Sequence, residues 1–416
     1  MQSTLETITT ALASSRKLEN CELVPLEESR SGEGVIAVVN RVVFRGTNAE
    51  NEIRAENLVL KTAPTHAIYR TSSPIHEMYE NEIYAYETAL PTLEGTFKRF
   101  GMKFVNFPRC YLTNTKENEE YLVLEDLKSG GFKLWSKEKT MDDGHLFVVL
   151  ENLAKFHAAS FYLKEKQKDT WNELVGGLNN VSKKFFCDTE FCEAVIEMAN
   201  TLDPLFKDQN DTLQRFQAFR DYQLKEFMCS ICNDRDSEFV IAHGDVWCNN
   251  ILFKYEDQSN PSKPTDIAIL DYQAIRLSSV AIDLSFFLCV SCSKESMSSL
   301  DTYLQYYYEK LAQNLSKMDF DPDIVFPRSS LFCQWKRYNK FGLCMSLVTL
   351  HGINSDSDEF PSLEEVLKYP RGFWFALNFK SRNEKRYQER IKDVILHFTE
   401  KDYIGKLEPC LWGRKR

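Results

Sequence analysis

The chain has 416 residues, a formal net charge of −10, 43% hydrophobic and 27% charged residues. That is the composition of a soluble globular protein, too long for one small core, so two lobes or domains are expected. The acidic balance argues against a nucleic-acid binder, which would show a basic face.

The first twenty residues have no apolar run behind a basic start, so no signal peptide is expected. Residues 22–60 read as strands. Val35–Phe44 and Asn57–Thr62 are β-branched and apolar, with Gly46-Thr47-Asn48 as a turn between them. A helix follows over "SPIHEMYENEIYAYETAL": Ser73 is placed to cap it, Pro74 suits its first turn, and Ile75, Tyr79, Ile83, Tyr86 and Leu90 make one apolar stripe. Pro91 is expected to stop it. "YLVLEDL" (Tyr121–Leu127) reads as a strand ending in acidic residues, before Gly130-Gly131.

From about Asp142 onward helical periodicity dominates. "HLFVVLENLAKFHAASFYL" is a strong helix, and others are predicted near 190–200, 212–232, 280–290, 300–315, 329–350 and 384–399. The most hydrophobic of these, Val280–Val290, contains Asp283 and is too short to span a bilayer. No membrane span and a cytoplasmic location are expected. Embedded in the helical part is a short hairpin, expected from 239–242, 251–254 and 267–270.

The twelve cysteines include two C-x-x-C pairs, Cys229/Cys232 and Cys289/Cys292. A zinc site would bring these pairs together as four ligands. Thiols one helical turn apart that pack as small hydrophobes are the simpler reading.

The hairpin holds the polar cluster "HGDVWCNNILF" (243–253). Asp245 falls just after a strand, and Asn250 comes five residues later, where the chain returns to strand. A further strand, "IAIL", ends on Asp271. Two carboxylates and an amide would then emerge at neighbouring strand ends. Such hard oxygen ligands suit Mg²⁺ with phosphate oxygens, and a remaining carboxylate can take the proton of a substrate hydroxyl. Asp245 and Asn250 taken alone would also suit an ordinary turn.

This pattern, H-G-D-x(4)-N and then a strand ending in Asp, resembles the phosphotransferases with a protein-kinase-like fold, in their aminoglycoside phosphotransferase and choline kinase branch. With "LDYQ" at 270–273 and "LVLEDL" at 122–127 it is similar to the ecdysteroid-kinase-like family of insects, over roughly residues 25–300. The resemblance implies an α+β, bilobal fold. Its strand-rich nucleotide-binding lobe would span 1–126 and its mainly helical catalytic and acceptor-binding lobe 127–416.

The resemblance also implies ATP and Mg²⁺ as cofactors and a small-molecule alcohol as substrate. Asp245 matches the catalytic-loop base, Asn250 and Asp271 the metal ligands, Lys61 the strand lysine that binds phosphates, and Glu82 the helix glutamate that pairs with it. Glu82 borders the apolar stripe of its helix, where a carboxylate needs a partner. "RSGEGV" (30–35) matches the glycine-bearing turn over the phosphates, through Gly32 and Gly34. Many relatives have a serine in this loop where this chain has Ala37, which removes one phosphate hydrogen bond. Backbone groups from Glu125 to Leu127 match the hinge that meets adenine, their side chains being equally suited to capping. His243 is expected to order the loop, and Asp283 to brace it through backbone hydrogen bonds.

A protein substrate is disfavoured: no A-P-E follows Asp271, and Trp247 stands where protein kinases carry lysine. Phe and Tyr number 29 and 18, with clusters at 333–342 and 371–379. These read as walls of a lipophilic pocket, as an aromatic box for a choline-type or ethanolamine-type acceptor, or as plain helix core. An ecdysteroid-like steroid acceptor is favoured by the resemblance. A pseudokinase-like module that only holds a ligand is the contrasting reading, resting on the altered glycine loop.

Overall fold

The computed structural model describes residues 2–26, 36–137, 139–257, 262–369 and 371–405. Its first third is a five-stranded antiparallel sheet. The strands are β1 (Glu19–Pro25), β2 (Val38–Thr47), β3 (Ile53–Thr62), β4 (Cys110–Asn114) and β5 (Tyr121–Glu125), in the order β1-β2-β3-β5-β4. One face buries Val42, Phe44, Leu58, Leu60, Tyr121 and Val123 against Ile8 and Leu12 of the helix Gln2–Arg16. The apolar spacing of Leu5, Ile8 and Leu12 carries that helix, which the pattern reading left unassigned.

The helical stripe from Ile75 behaves differently from expectation at both ends. The helix Ile75–Tyr84 has Pro74 at its N-cap, with no side-chain cap. Ser73 instead closes the preceding short helix Ala67–Ser72, through its N–H to the Tyr69 carbonyl. At the other end Pro91 does not stop the stripe. A π-turn over Ala85–Ala89 leads into a further helix, Leu90–Arg99, with Pro91 in its first turn. Proline is tolerated there because first-turn N–H groups need no intrahelical acceptor.

The remaining strands are short. β6 (Lys133–Leu134), β8 (Ile251–Lys254) and β9 (Asp266–Ile269) form one small sheet; β7 (Val240–Ala242) pairs with β10 (Arg276–Ser278). The expected hairpin is therefore corrected: 251–254 pairs with 266–269, whereas 240–242 pairs antiparallel with the strand that follows Asp271. The polar loop between 242 and 251 separates the strands rather than turning one onto the other, so two strand pairs converge on it.

Beneath lie the helices, led by Asp143–Lys166, Val280–Ser291, Lys340–Asn354 and Glu384–Glu400. The helix Val280–Ser291 is buried along its whole length, which explains why its sequence is apolar all round apart from Asp283 and the small serines. The architecture is the α+β, bilobal, protein-kinase-like one expected. Among the described residues no helix is long and apolar enough to cross a membrane.

Candidate active site

Lys61 lies on β3, flanked by Val39 of β2 and Leu122 of β5. Its side chain is 6% exposed, yet its ammonium has two carboxylates within reach: Glu82 Oε2 at 2.7 Å and Asp271 Oδ1 at 2.9 Å. Burial alone pushes this ammonium toward the neutral form; Asp271 and Glu82 more than reverse that and raise its pKa. Lys61 is the only opposite charge paired with Glu82 among the described residues. The glutamate's helix is anchored by its neighbour Asn81, whose Nδ2 donates to the carbonyls of Gln273 (3.2 Å) and Ile275 (2.8 Å). The segment after Asp271 and the helix bearing Glu82 therefore hold each other in place.

Asp271 follows β9 in the left-handed region, at φ 63°. A short polar side chain tolerates that region better than most. Its carboxylate is 33% exposed, far more open than that of Glu82.

The loop His243–Asn250 is fixed from beneath. Asp283, fully buried, accepts from the N–H of His243 (2.8 Å) and of Gly244 (2.7 Å). It also meets Nε2 of His157 at 3.1 Å, and Nδ1 of that histidine lies 2.7 Å from the Tyr307 hydroxyl. Burial acts to raise Asp283, but His157 and the backbone donors outweigh it and hold its pKa below the usual carboxylate range. His243 orders the loop, Nε2 lying 2.9 Å from the Leu270 carbonyl while Nδ1 accepts from the Asp245 N–H at 3.2 Å. Burial lowers its pKa and keeps the ring neutral. Gly244 sits at φ +82°, and a Cβ there would lie 2.4 Å from the Ala274 carbonyl oxygen. Only glycine lets the loop pass so close to that backbone.

Asp245 then emerges half-buried, with Oδ2 accepting from Asn250 Nδ2 (2.8 Å) and from the Trp247 indole (3.3 Å). Burial, and next the charge of Asp271, push its pKa up to about 7; these hydrogen bonds and Lys61 oppose the rise. A carboxyl poised there is well matched to taking a proton near neutral pH. The Asn250 amide nitrogen is committed to Asp245, to Oδ2 and to the carbonyl at 2.9 Å, which turns its carbonyl oxygen the other way. The Leu270 N–H donates to the Asn250 carbonyl at 2.9 Å, tying the two strand ends together.

At the junction of sheet and helices, Asp126 caps the turn after β5. It accepts from the Lys128 N–H (3.1 Å) and the Ser129 hydroxyl (2.7 Å), and pairs with Arg41 of β2 at 2.8 Å. Glu125 likewise accepts from the Arg109 N–H at 3.2 Å, and the Leu127 carbonyl accepts from Gly130 and Phe132. Both acidic side chains thus brace the chain. Gly32 and Gly34 lie outside the described residues; the adjoining Ala37 is partly buried.

The structure brings together Lys61, Glu82, Asp245, Asn250 and Asp271. The aromatic clusters pack elsewhere, in the core, where Trp374 also lines a small apolar cleft with Phe191 and Met198. Trp335, Tyr338, Phe341, Phe373, Trp374 and Phe375 are all buried in the main core. Their polar ends are used internally, Trp335 on the Tyr403 hydroxyl and Trp374 on the Ser72 carbonyl. Reading them as pocket or box walls is corrected to core packing. Nor do the two C-x-x-C pairs meet as zinc ligands. One lies on the helix Leu224–Asn233 and the other at the end of Val280–Ser291. The described cysteines are free, and no group of three His, Cys, Asp or Glu among the described residues could hold a metal ion. Sequence reasoning missed Asn81, Arg41 and the Trp247–Asp245 hydrogen bond, none of which has a local signal.

A five-stranded antiparallel sheet, a buried lysine on it paired with a helix glutamate, and an aspartate-bearing loop beneath are the arrangement of the kinase-like phosphotransferase class. The ecdysteroid kinase-like family matches residues 31–320, and the chain belongs to that family, whose members are small-molecule kinases acting on alcohol groups. No curated protein matches the chain. Among solved structures, a Plasmodium vivax ethanolamine kinase aligns at 10% identity and TM-score 0.43, over 96% of this chain and 91% of its own. The GDP complex of an aminoglycoside 2'-phosphotransferase-IIIa mutant aligns at 13% and 0.42, over 96% and 97%. A glucosamine kinase aligns at 9% and 0.36, over 92% and 94%. Similarities this low say nothing of the substrate.

Proposed function

We propose that the protein is an ATP- and Mg²⁺-dependent kinase that phosphorylates a hydroxyl of a small lipophilic alcohol, an ecdysteroid-like steroid being favoured. The observation that carries this reading is the double pairing of Lys61 with Glu82 and Asp271, which joins the sheet to the end of β9. Lys61 takes the α- and β-phosphates, with Glu82 holding the ammonium in position. Gly32 and Gly34 bring backbone N–H groups to the same anion. The backbone from Glu125 to Leu127 meets adenine. The lobes divide between residues 126 and 127.

The donor chemistry fits a magnesium ion. The half-open carboxylate of Asp271 and the amide oxygen of Asn250 are hard oxygens, and Mg²⁺ needs only one or two protein ligands when phosphates and water supply the rest. Held by Asp271 and Asn250, such an ion would supply neutralisation of the phosphate charge. The acceptor oxygen attacks the γ-phosphorus as its proton passes to Asp245, and ADP leaves. Trp247 orients Asp245 through its indole N–H and offers the acceptor an apolar face.

The steroid preference draws on the family name and on that apolar face. A choline-type acceptor would need an exposed aromatic box, and the clustered aromatics are core. A cytoplasmic location is in keeping with the free thiols. The test is ATP consumption with sterols, ecdysteroids, choline, ethanolamine and aminoglycosides, comparing wild type with Asp245→Ala. Turnover with a steroid alcohol, lost in the variant, is expected. Absence of turnover with every acceptor, together with no rise in melting temperature on adding nucleotide, would leave the non-catalytic binding module standing instead.

A further inference from the structure

The helix Ile75–Tyr84, which carries Glu82, meets the sheet a second time through its first turn. His76 lies there, with Nδ1 2.9 Å from Glu120 Oε1 and Nε2 3.4 Å from Glu80 Oε1. Glu120 directly precedes β5, and its backbone carbonyl accepts from the Ala63 N–H at 3.0 Å. Lys61 pairs with Leu122 in the same register. The strands that Glu82 reaches through Lys61 are therefore the ones that His76 reaches through Glu120, and one helix is tied to β3 and β5 at two points along its length.

Glu120 is a buried hub, 2% exposed. Arg70 of the helix Ala67–Ser72 grips it with two nitrogens, at 3.1 and 2.5 Å, while its Nε donates to the Pro64 carbonyl. Burial acts to raise the Glu120 pKa, but the hydrogen bonds from Arg70 and His76 hold it below the usual carboxylate range. A buried carboxylate kept ionised in this way depends on its donors.

The His76 ring stands between two carboxylates. A neutral imidazole has one N–H, so one of its nitrogens would turn a lone pair toward an acid. Only the imidazolium offers a proton to Glu120 and to Glu80 at once. The charged groups around the ring are Glu77 and Glu80 on its own helix, Glu117 and Glu120 before β5, Arg70, which shares Glu120, and Lys184, which pairs with Glu77. Acids thus outnumber cations there, and both cations already have a partner. Burial works against a charged ring, but the Glu120 hydrogen bond and the charges of Glu80, Glu120 and Glu117 outweigh it and raise the His76 pKa above the usual histidine value.

We propose that His76 is a positioning residue for the nucleotide site: its imidazolium clamps the Glu82 helix to the sheet, steadies Lys61 through Glu82, and so makes nucleotide affinity fall as pH rises past neutrality. The inference rests on the kinase reading above and adds regulation by pH to it. Linkage gives the sign. With a raised pKa in the fold, the clamp contributes fully below about pH 6.5, the value of a free histidine, and is lost as pH rises through the higher folded value. Among the described residues a neutral His76 leaves Lys61–Glu82 as the one ion pair between this helix and the sheet.

The test uses the full chain with magnesium and a non-hydrolysable ATP analogue, titrated at about pH 6.5 and about pH 8.5. Protonation of the nucleotide itself is common to wild type and His76→Gln and cancels in the comparison. From the lower pH to the higher, wild type should lose about threefold more affinity than His76→Gln. By reciprocity, a histidine NMR titration of wild type should show the His76 pKa rising by about 0.5 when the analogue binds. Whichever of His76→Gln and His76→Asn folds identifies the ring, by its missing signal among the seven histidines; the side chain is 31% exposed, so neither change opens a core cavity. Equal pH dependence in wild type and variant, or a His76 pKa unmoved by the analogue, would overturn the inference and leave the kinase reading intact. No nucleotide binding at either pH would overturn both.

Discussion

Lys61 and Asp271 are 210 positions apart in the chain and 2.9 Å apart in space. The contact joins the central strand of the sheet to the end of β9, and it depends on Glu82 holding the ammonium from the other side at 2.7 Å. Buried charges in this arrangement serve positioning more than stability, because desolvation cancels much of their attraction.

A double-mutant cycle separates the two roles. Lys61→Met strands the buried Glu82 carboxylate and should destabilise the protein by about 3–5 kcal/mol in urea unfolding. Adding Glu82→Leu should return stability to within about 1–2 kcal/mol of wild type, while nucleotide affinity stays lost. Recovery of nucleotide binding in the double variant would make the pair purely structural.

Gly244→Ala should be far more damaging than its single methyl suggests. The added Cβ would meet the Ala274 carbonyl oxygen at 2.4 Å in a backbone conformation at φ +82°. Neither atom belongs to a flexible side chain, so the loop must move, and Asp245 moves with it. The expected result is a loss of about 2–4 kcal/mol in stability and of nearly all phosphotransfer. A variant with wild-type turnover would mean that the loop geometry is not needed.

Asp245 gives a prediction with a definite sign. Its pKa is 3.8 in the reference state and about 7 in the fold, owing to burial and then to Asp271. Between those values the folded protein holds a proton that the unfolded chain releases. Stability therefore falls as pH rises from about 4 to about 7 and levels off above that. Asp245→Asn removes this penalty. In metal-free buffer its advantage over wild type should be small near pH 5 and grow to at most about 4 kcal/mol near pH 8. Thermal melts of both proteins across that range check it; a constant difference would show that the carboxyl is not held neutral by the fold.

How much of this was readable beforehand depended on distance along the chain. Asp245, Asn250 and Asp271 could be read because each stands at a strand end within a short local pattern. Lys61 and Glu82 stood out as charges on or beside otherwise apolar periodicity. The pairing of β7 with β10 could not be read, since β8 was an equally good partner by composition and only the three-dimensional path of the loop excludes it. Pro91 misled because a π-turn has no sequence mark of its own. Trp335, Phe341 and Trp374 have the same spacing whether they line a pocket or fill a core, and here they fill the core. Asp126 was readable as acidic, but its partner Arg41 lies on another strand, with no local cue.

The central claim is that Asp271 and Asn250 hold the metal that accompanies the nucleotide. It is tested most directly by titrating ATP into wild type and Asp271→Asn, each with magnesium and with a chelator. Wild type should bind ATP with magnesium and lose at least about tenfold in affinity without it, whereas Asp271→Asn should bind weakly and equally in both conditions. The same magnesium dependence in both proteins, or no nucleotide binding by wild type, would contradict the account.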